Sequence, residues 1–94
     1  MKIKNNFVLR EVADTWVVLP LSDRTLDFSG MLTLNETGAL LWQTLQQDCD
    51  LDRIVHVLTA EYAVSADQAR IDAVEFLEKL ISVGCLEYEA GWNG

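Results

Sequence analysis

The hydrophobic period of this chain changes once, at Leu34–Asn35, and that single change sets the order of its parts. Before it, apolar residues alternate or run in short blocks, as strands require; after it, they recur every three to four residues, as helices require. Residues 6–12 alternate and are rich in β-formers. Ala13-Asp14 makes a short turn, and residues 15–21 read as a second strand, apolar on both faces. Pro20 cannot donate to a ladder and belongs at a strand end or on an edge. After the polar turn Ser22-Asp23-Arg24-Thr25, a third strand is expected from about Leu26 to Leu34. Ser29-Gly30 interrupts it, which suggests a bulge and leaves the register there open.

Three helices follow. Asn35 is a favourable N-cap, with Glu36 placed well against the helix dipole. Leu40, Leu41, Trp42 and Leu45 form the apolar face of the first helix, which ends near Gln47-Asp48. Asp50 caps the second, with Leu51, Ile54, Val55, Leu58 and Tyr62 at helical spacing. Ser65-Ala66-Asp67-Gln68 fits a capping box and opens a third helix that runs to about Val83. Gly84 stands where a helix C-terminus expects it. Leu86 to Tyr88 adds a short strand. The expectation is an α+β fold, winged helix-turn-helix-like, with a three-stranded antiparallel sheet followed by three helices (βββααα). It occupies residues 1–94 as a single domain, with residues 1–5 and 90–94 as loose tails.

Charge divides at the same place. Residues 1–34 carry four basic and four acidic groups, whereas residues 35–94 carry three basic and eleven acidic, which accounts for the whole net charge of -8. A polyanionic partner is disfavoured, because phosphate binding draws on Lys and Arg; a DNA-binding winged helix shares the fold order but not the charge. Lys2 and Lys4 open no signal peptide, since Phe7-Val8-Leu9 runs straight into Arg10-Glu11. The longest apolar run, Trp16 to Leu21, is too short to cross a bilayer, so no membrane partner is expected. Cys49 and Cys85 lie far apart without CxxC spacing and read as packing residues in a reducing cytoplasm.

Catalytic machinery is not visible. His56 is the sole histidine and falls off the apolar stripe of its helix, toward solvent. No GxGxxG, P-loop, HExxH or nucleophile elbow occurs. The acidic residues show no calcium-loop spacing, and neither a metal nor a cofactor is expected. An interaction module is left, and two features give it content. Met31-Leu32-Thr33-Leu34 is uncharged at the edge of a small sheet, where natural proteins place charge to prevent pairing. On the third helix Ala69, Ala73, Phe76, Leu77, Leu80 and Val83 form a core stripe, while Val74 and Ile81, beside Arg70, extend the apolar surface beyond it. A wide stripe can serve only to bury more surface. It can also form a groove with the strand edge, one that accepts an extended peptide by strand addition. The same bare edge can instead pair two copies of the chain in a homodimer or hold an adaptor partner.

The segment Leu34-Asn35-Glu36-Thr37-Gly38-Ala39-Leu40-Leu41-Trp42 resembles the motif of PqqD-like proteins, also called RiPP recognition elements. The approach Leu26-Asp27-Phe28-Ser29-Gly30-Met31 is similar to that family too. So are Leu51-Asp52-x-Ile54-Val55, Glu61-Tyr62, and Asp72-x-x-x-Phe76-Leu77-x-x-Leu80 with Gly84-Cys85-Leu86. The resemblance spans residues 6 to about 88. It implies a winged helix-turn-helix-like domain that binds the leader of a ribosomally made precursor peptide. In that family the leader docks as an added strand on the third strand, against the third helix, and is presented to a modifying enzyme, often a radical SAM enzyme, and the resemblance implies the same here. Carried over by position, and with the helical wheel, the strand contacts fall on Phe28, Met31, Leu32 and Thr33, and the helix contacts on Arg70, Val74, Leu77 and Ile81. Asp67, Asp72, Glu75 and Glu78 suggest a leader with some basic residues.

Overall fold

The computed structural model describes residues 1–21 and 32–88. Its elements in chain order are β1 (Lys2–Ile3), β2 (Phe7–Val12), β3 (Thr15–Pro20), β4 (Leu32–Leu34), α1 (Glu36–Thr44), α2 (Leu51–Glu61), α3 (Ala66–Ser82) and β5 (Leu86–Glu87). Strands β2, β3 and β4 form an antiparallel sheet in that order. The α+β arrangement of three meandering strands followed by three helices is therefore as the pattern of residues predicts. The stretch expected as the first part of the third strand, residues 26–31, lies outside the described residues, and with it Phe28, Met31 and the bulge suggested at Ser29-Gly30.

Register follows from a two-residue loop. Val12 pairs with Thr15 and Phe7 with Pro20, so Ala13-Asp14 closes the β2–β3 hairpin and Pro20 ends its strand. Ala13 has φ 56, the left-handed region that such tight hairpins demand and that residues with a Cβ adopt at a cost. Strand β4 then pairs Leu34 with Trp16, Thr33 with Val17 and Leu32 with Val18. Alternation sends Leu32 and Leu34 into the core and leaves Thr33 exposed.

Each helix begins where a side chain accepts an otherwise orphaned N–H. Asn35 accepts from the N–H of Gly38 at 2.8 Å, Asp50 from Arg53 at 2.9 Å, and Ser65 from Gln68 at 3.1 Å. The capping box expected at Ser65 is only half made. Gln68 turns its amide forward to Asp72 Oδ1 at 2.9 Å. α3 ends in a Schellman arrangement: Cys85 N–H donates to Leu80 C=O, Gly84 N–H donates to Ile81 C=O, and Gly84 takes φ 79.

Ala69, Ala73, Leu77 and Leu80 of α3 are fully enclosed, and with Ile54 and Leu58 of α2, Leu41, Trp42 and Leu45 of α1 and Phe7, Val18, Leu32 and Leu34 of the sheet they form one apolar cluster. The alanines let α3 and its neighbours approach closely. No polar or charged side chain is buried among the described residues. Of residues 1–5, expected as a loose tail, the first four are instead held. β1 pairs with β5, Ile3 N–H donates to Leu45 C=O, and Lys4 N–H donates to Cys85 C=O. The Met1 ammonium ion-pairs with Asp48 at 2.7 Å and donates to Cys49 C=O at 2.8 Å. Two short strands and a buried Ile3 explain why the propensity of such a short segment gave no sign of this.

Candidate functional site

One edge of β4 is taken by β3, and no described strand pairs the other. Three consecutive uncharged residues therefore offer backbone N–H and C=O groups at the sheet's margin, the arrangement to which an extended chain adds. Alongside it runs α3. Between them lies a cavity of about 250 Å³, with Thr33, Leu34, Asn35 and Gly38 on one side and Asp72, Glu75, Phe76 and Lys79 on the other.

Gly38 sets the width of this groove. A Cβ placed on it would lie 3.1 Å from Leu34 Cβ, 3.2 Å from the Phe76 ring and 3.3 Å from Asn35 Oδ1. Only a hydrogen at that position lets the ring settle against the first turn of α1, where it is half-buried and continuous with the core. The floor is apolar and the rim is ionic, with Asp72 and Glu75 followed one turn later by Lys79.

The residues expected to make the site are placed unevenly. Thr33 is exposed and lines the groove. Leu32 and Leu77 are core residues, 6% and 0% exposed, so their side chains pack inward. Arg70 is exposed, and Val74 and Ile81 are half-buried, but none of the three lines the groove. At about 100° per residue they lie about 120–160° round α3 from Phe76, on the other side of the core stripe. The apolar extension of that stripe pointed to Val74 and Ile81, whereas the flank turned toward β4 is the more polar one of Asp72, Glu75, Phe76 and Lys79. A glycine at the third position of a helix, directly after a strand, signals a close approach, and Gly38 was the clue to Phe76. A second cavity of about 430 Å³ lies on the other side of α1, with Trp16 and Leu40 among its walls and Glu11, Asp14 and Glu36 around it.

Among the described residues no group of three or more His, Cys, Asp or Glu residues could hold a metal, and His56 faces solvent. Both thiols are free. Burial pushes the Cys85 thiol up to about 11 and raises that of Cys49 as well, which keeps both in the unreactive protonated form. No described helix is long and apolar enough to cross a membrane.

Comparison with known proteins agrees with this architecture. No curated protein matches the chain. Among solved structures, TbiB1 in complex with the TbiA(beta) leader peptide is similar with a TM-score of 0.75 at 28% identity, over 96% of this chain and 99% of that one. A lasso peptide synthetase B1 complexed with the leader peptide has a TM-score of 0.70 at 23% identity, over 89% and 93%, and that likeness is one of fold. The profile of the family described as Coenzyme PQQ synthesis protein D matches residues 15–86, from the second hairpin strand through the Schellman turn to β5. With three-quarters of its length and all three helices inside that match, the chain belongs to the PqqD family.

Proposed function

We propose that this protein is a non-catalytic recognition module that binds the leader of a ribosomally synthesised precursor peptide by strand addition and presents it to a modifying enzyme. The observation that carries this reading is the uncharged edge of Leu32–Leu34, which no described strand pairs, lying beside the groove floored by Phe76. Backbone hydrogen bonds to that edge supply affinity, and the groove reads the side chains that project over it. Support comes also from TbiB1, similar over nearly the whole chain, whose structure holds a leader peptide.

On this reading Thr33 and the backbone of β4 form the strand side of the site, with Phe28 and Met31, which precede it in the sequence, proposed as further contacts. The helix contacts move from Arg70, Val74 and Ile81 to the Asp72–Phe76–Lys79 flank, and Leu32 and Leu77 support it from the core. Catalysis belongs to the partner. Holding the leader raises the effective concentration of the attached core peptide near the enzyme, with no bond made or broken here. A radical SAM enzyme is the partner class that the family resemblance favours. The acidic helical half disfavours nucleic acid, and two free cysteines suit a reducing cytoplasm.

Titration of the isotopically labelled protein with the leader of a precursor encoded beside its gene tests the proposal. Amide shifts are expected along residues 32–34 and 72–79; their absence at saturating peptide would overturn it. The same bare edge favours one second reading, pairing between two copies of the chain. A sedimentation coefficient that rises with concentration, and falls when the leader is added, would support that reading.

A further inference from the structure

We infer that the leader seated in the β4–α3 groove carries a lysine or arginine whose side chain is held between Asp72 and Glu75, with Lys79 deciding at which end that cation can sit. This presupposes the leader-binding function proposed above and adds a chemical requirement to it.

Of the four carboxylates on α3, only two face the groove. Asp72 and Glu75 line it, whereas Asp67 and Glu78 do not and lie about 160–180° round the helix from Phe76. Their Cα positions are about 4.5 Å apart along the helix axis, at a rise of 1.5 Å per residue, a spacing that lets one ammonium or guanidinium reach both carboxylates. Both are exposed and available. Among the described residues the ion pair of Met1 with Asp48 is the sole one, so neither Asp72 nor Glu75 is ion-paired with a described residue. Asp72 accepts a hydrogen bond from Gln68 on Oδ1, which steadies the carboxylate and leaves its other oxygen unengaged.

The neighbours narrow the choice further. A strand added to β4 gains its backbone hydrogen bonds regardless of sequence, so discrimination must come from side chains that project over Phe76. An apolar residue fits against the half-buried ring. A cationic residue beside it reaches the carboxylates and the face of the ring together, a combination that suits arginine best. Lys79 lies about 6 Å beyond Glu75 along the axis. Like charges placed together are unfavourable, so a cation is rejected at that end and the groove has a polarity that fixes the peptide's register.

The probe is a display library of randomised peptides of about twelve residues, panned on the immobilised full chain. The retained wild-type peptides are expected to carry Lys or Arg at one position relative to an apolar residue, and to shift the amides of Leu32–Leu34. Each carboxylate contributes on the scale of an exposed pair, roughly 0.2–1 kcal/mol or up to about fivefold. A selected peptide should therefore bind the D72N/E75Q double variant up to roughly twenty-five-fold more weakly. Panning on D72K/E75K should replace the basic preference by Asp or Glu. Retained peptides that shift those amides without a basic preference, or that bind the double variant as tightly as wild type, overturn the charge requirement and leave strand addition intact. Peptides that leave those amides unmoved, or none retained, overturn both. Circular dichroism of each variant shows that the helices persist, as exposed positions lead one to expect.

Discussion

The Phe76 ring lies 3.2 Å from where a Cβ would stand on Gly38, so a residue of α3 and a residue of α1 define the groove between them by what one of them lacks. Gly38→Ala should gain helix propensity in the first turn of α1 but set a methyl 3.1 Å from Leu34 Cβ, which β4 cannot readily move. The ring, half-buried at the groove floor, gives way instead. We expect a net destabilisation of about 1 kcal/mol for the alanine and about 1–3 kcal/mol for Gly38→Val by chemical denaturation, as overpacking typically costs. Leader affinity should fall in the same order.

The two flanks of α3 should respond oppositely. Phe76→Ala removes the floor of the groove, costs about 1–2 kcal/mol of stability for a half-buried aromatic, and should weaken leader binding at least tenfold. Val74→Ser, on the far flank, should cost no more than about 1 kcal/mol and leave leader affinity within twofold. Calorimetric titration of the two variants side by side checks this. Equal losses of affinity would return the site to the Arg70–Val74–Ile81 flank.

Much of this fold could be read from the residues because local signals and burial agree in it. Asn35, Asp50 and Ser65 are caps by chemistry and caps in the structure, and Gly84 closes α3 at positive φ as its position predicts. The core stripe of α3 is also where the wheel puts it. What the wheel does not contain is the direction of the neighbours. It orders residues around an axis, but only tertiary packing says that β4 and α1 lie on the Phe76 side. An apolar flank attracted the assignment of Val74 and Ile81, while the groove is walled by charged residues that sequence reasoning assigns to solvent. The β1–β5 pair was hidden for a related reason: two residues carry almost no pattern, and their strand partner is more than eighty positions away.

Ala13 holds φ 56 at the tip of the β2–β3 hairpin, a conformation that costs a residue with a Cβ about 1–2 kcal/mol. Ala13→Gly relieves that strain at the expense of a looser unfolded chain. The net expectation is a gain of about 0.5 kcal/mol, or a few degrees in Tm for a domain of this size. Thermal unfolding followed by circular dichroism measures it, and a lower Tm would show that the strain is compensated elsewhere in the loop.

Asp48 receives a hydrogen bond from the Met1 ammonium, and that bond, reinforced by its charge, lowers the carboxyl below its ordinary value of 3.8. A carboxylate depressed in the folded state contributes stability that is present above the unfolded value and lost as pH falls through the lower folded value. The window therefore lies below about pH 4. Asp48→Asn should leave a shallower acid limb in a plot of stability against pH and have its smallest effect on slope near neutrality. The site is exposed, so raising the salt concentration should weaken the contribution. Denaturant midpoints between pH 2 and 7, at low and high salt, give both readings.

Cys85 carries the opposite sign. It is fully enclosed between the end of α3 and β5, with its Sγ donating to Leu80 C=O at 3.6 Å, and burial raises the thiol to about 11. An acid weakened by folding contributes stability below its unfolded value, near 9.0, and loses it as pH rises through the folded one. Stability should thus decline between about pH 9 and 11, and Cys85→Ala should blunt that decline while costing about 1–2 kcal/mol at neutral pH for lost packing. Alkylation separates the two thiols, because the thiolate is the reactive species and access is needed to reach it. Cys49, half-buried in the loop before α2, should be modified first by iodoacetamide, and Cys85 only at the rate at which the α3–β5 junction opens. Mass spectrometry of peptides from a time course resolves this order. Equal rates at the two cysteines would mean that the Schellman turn and the β1–β5 pair open readily in the native protein.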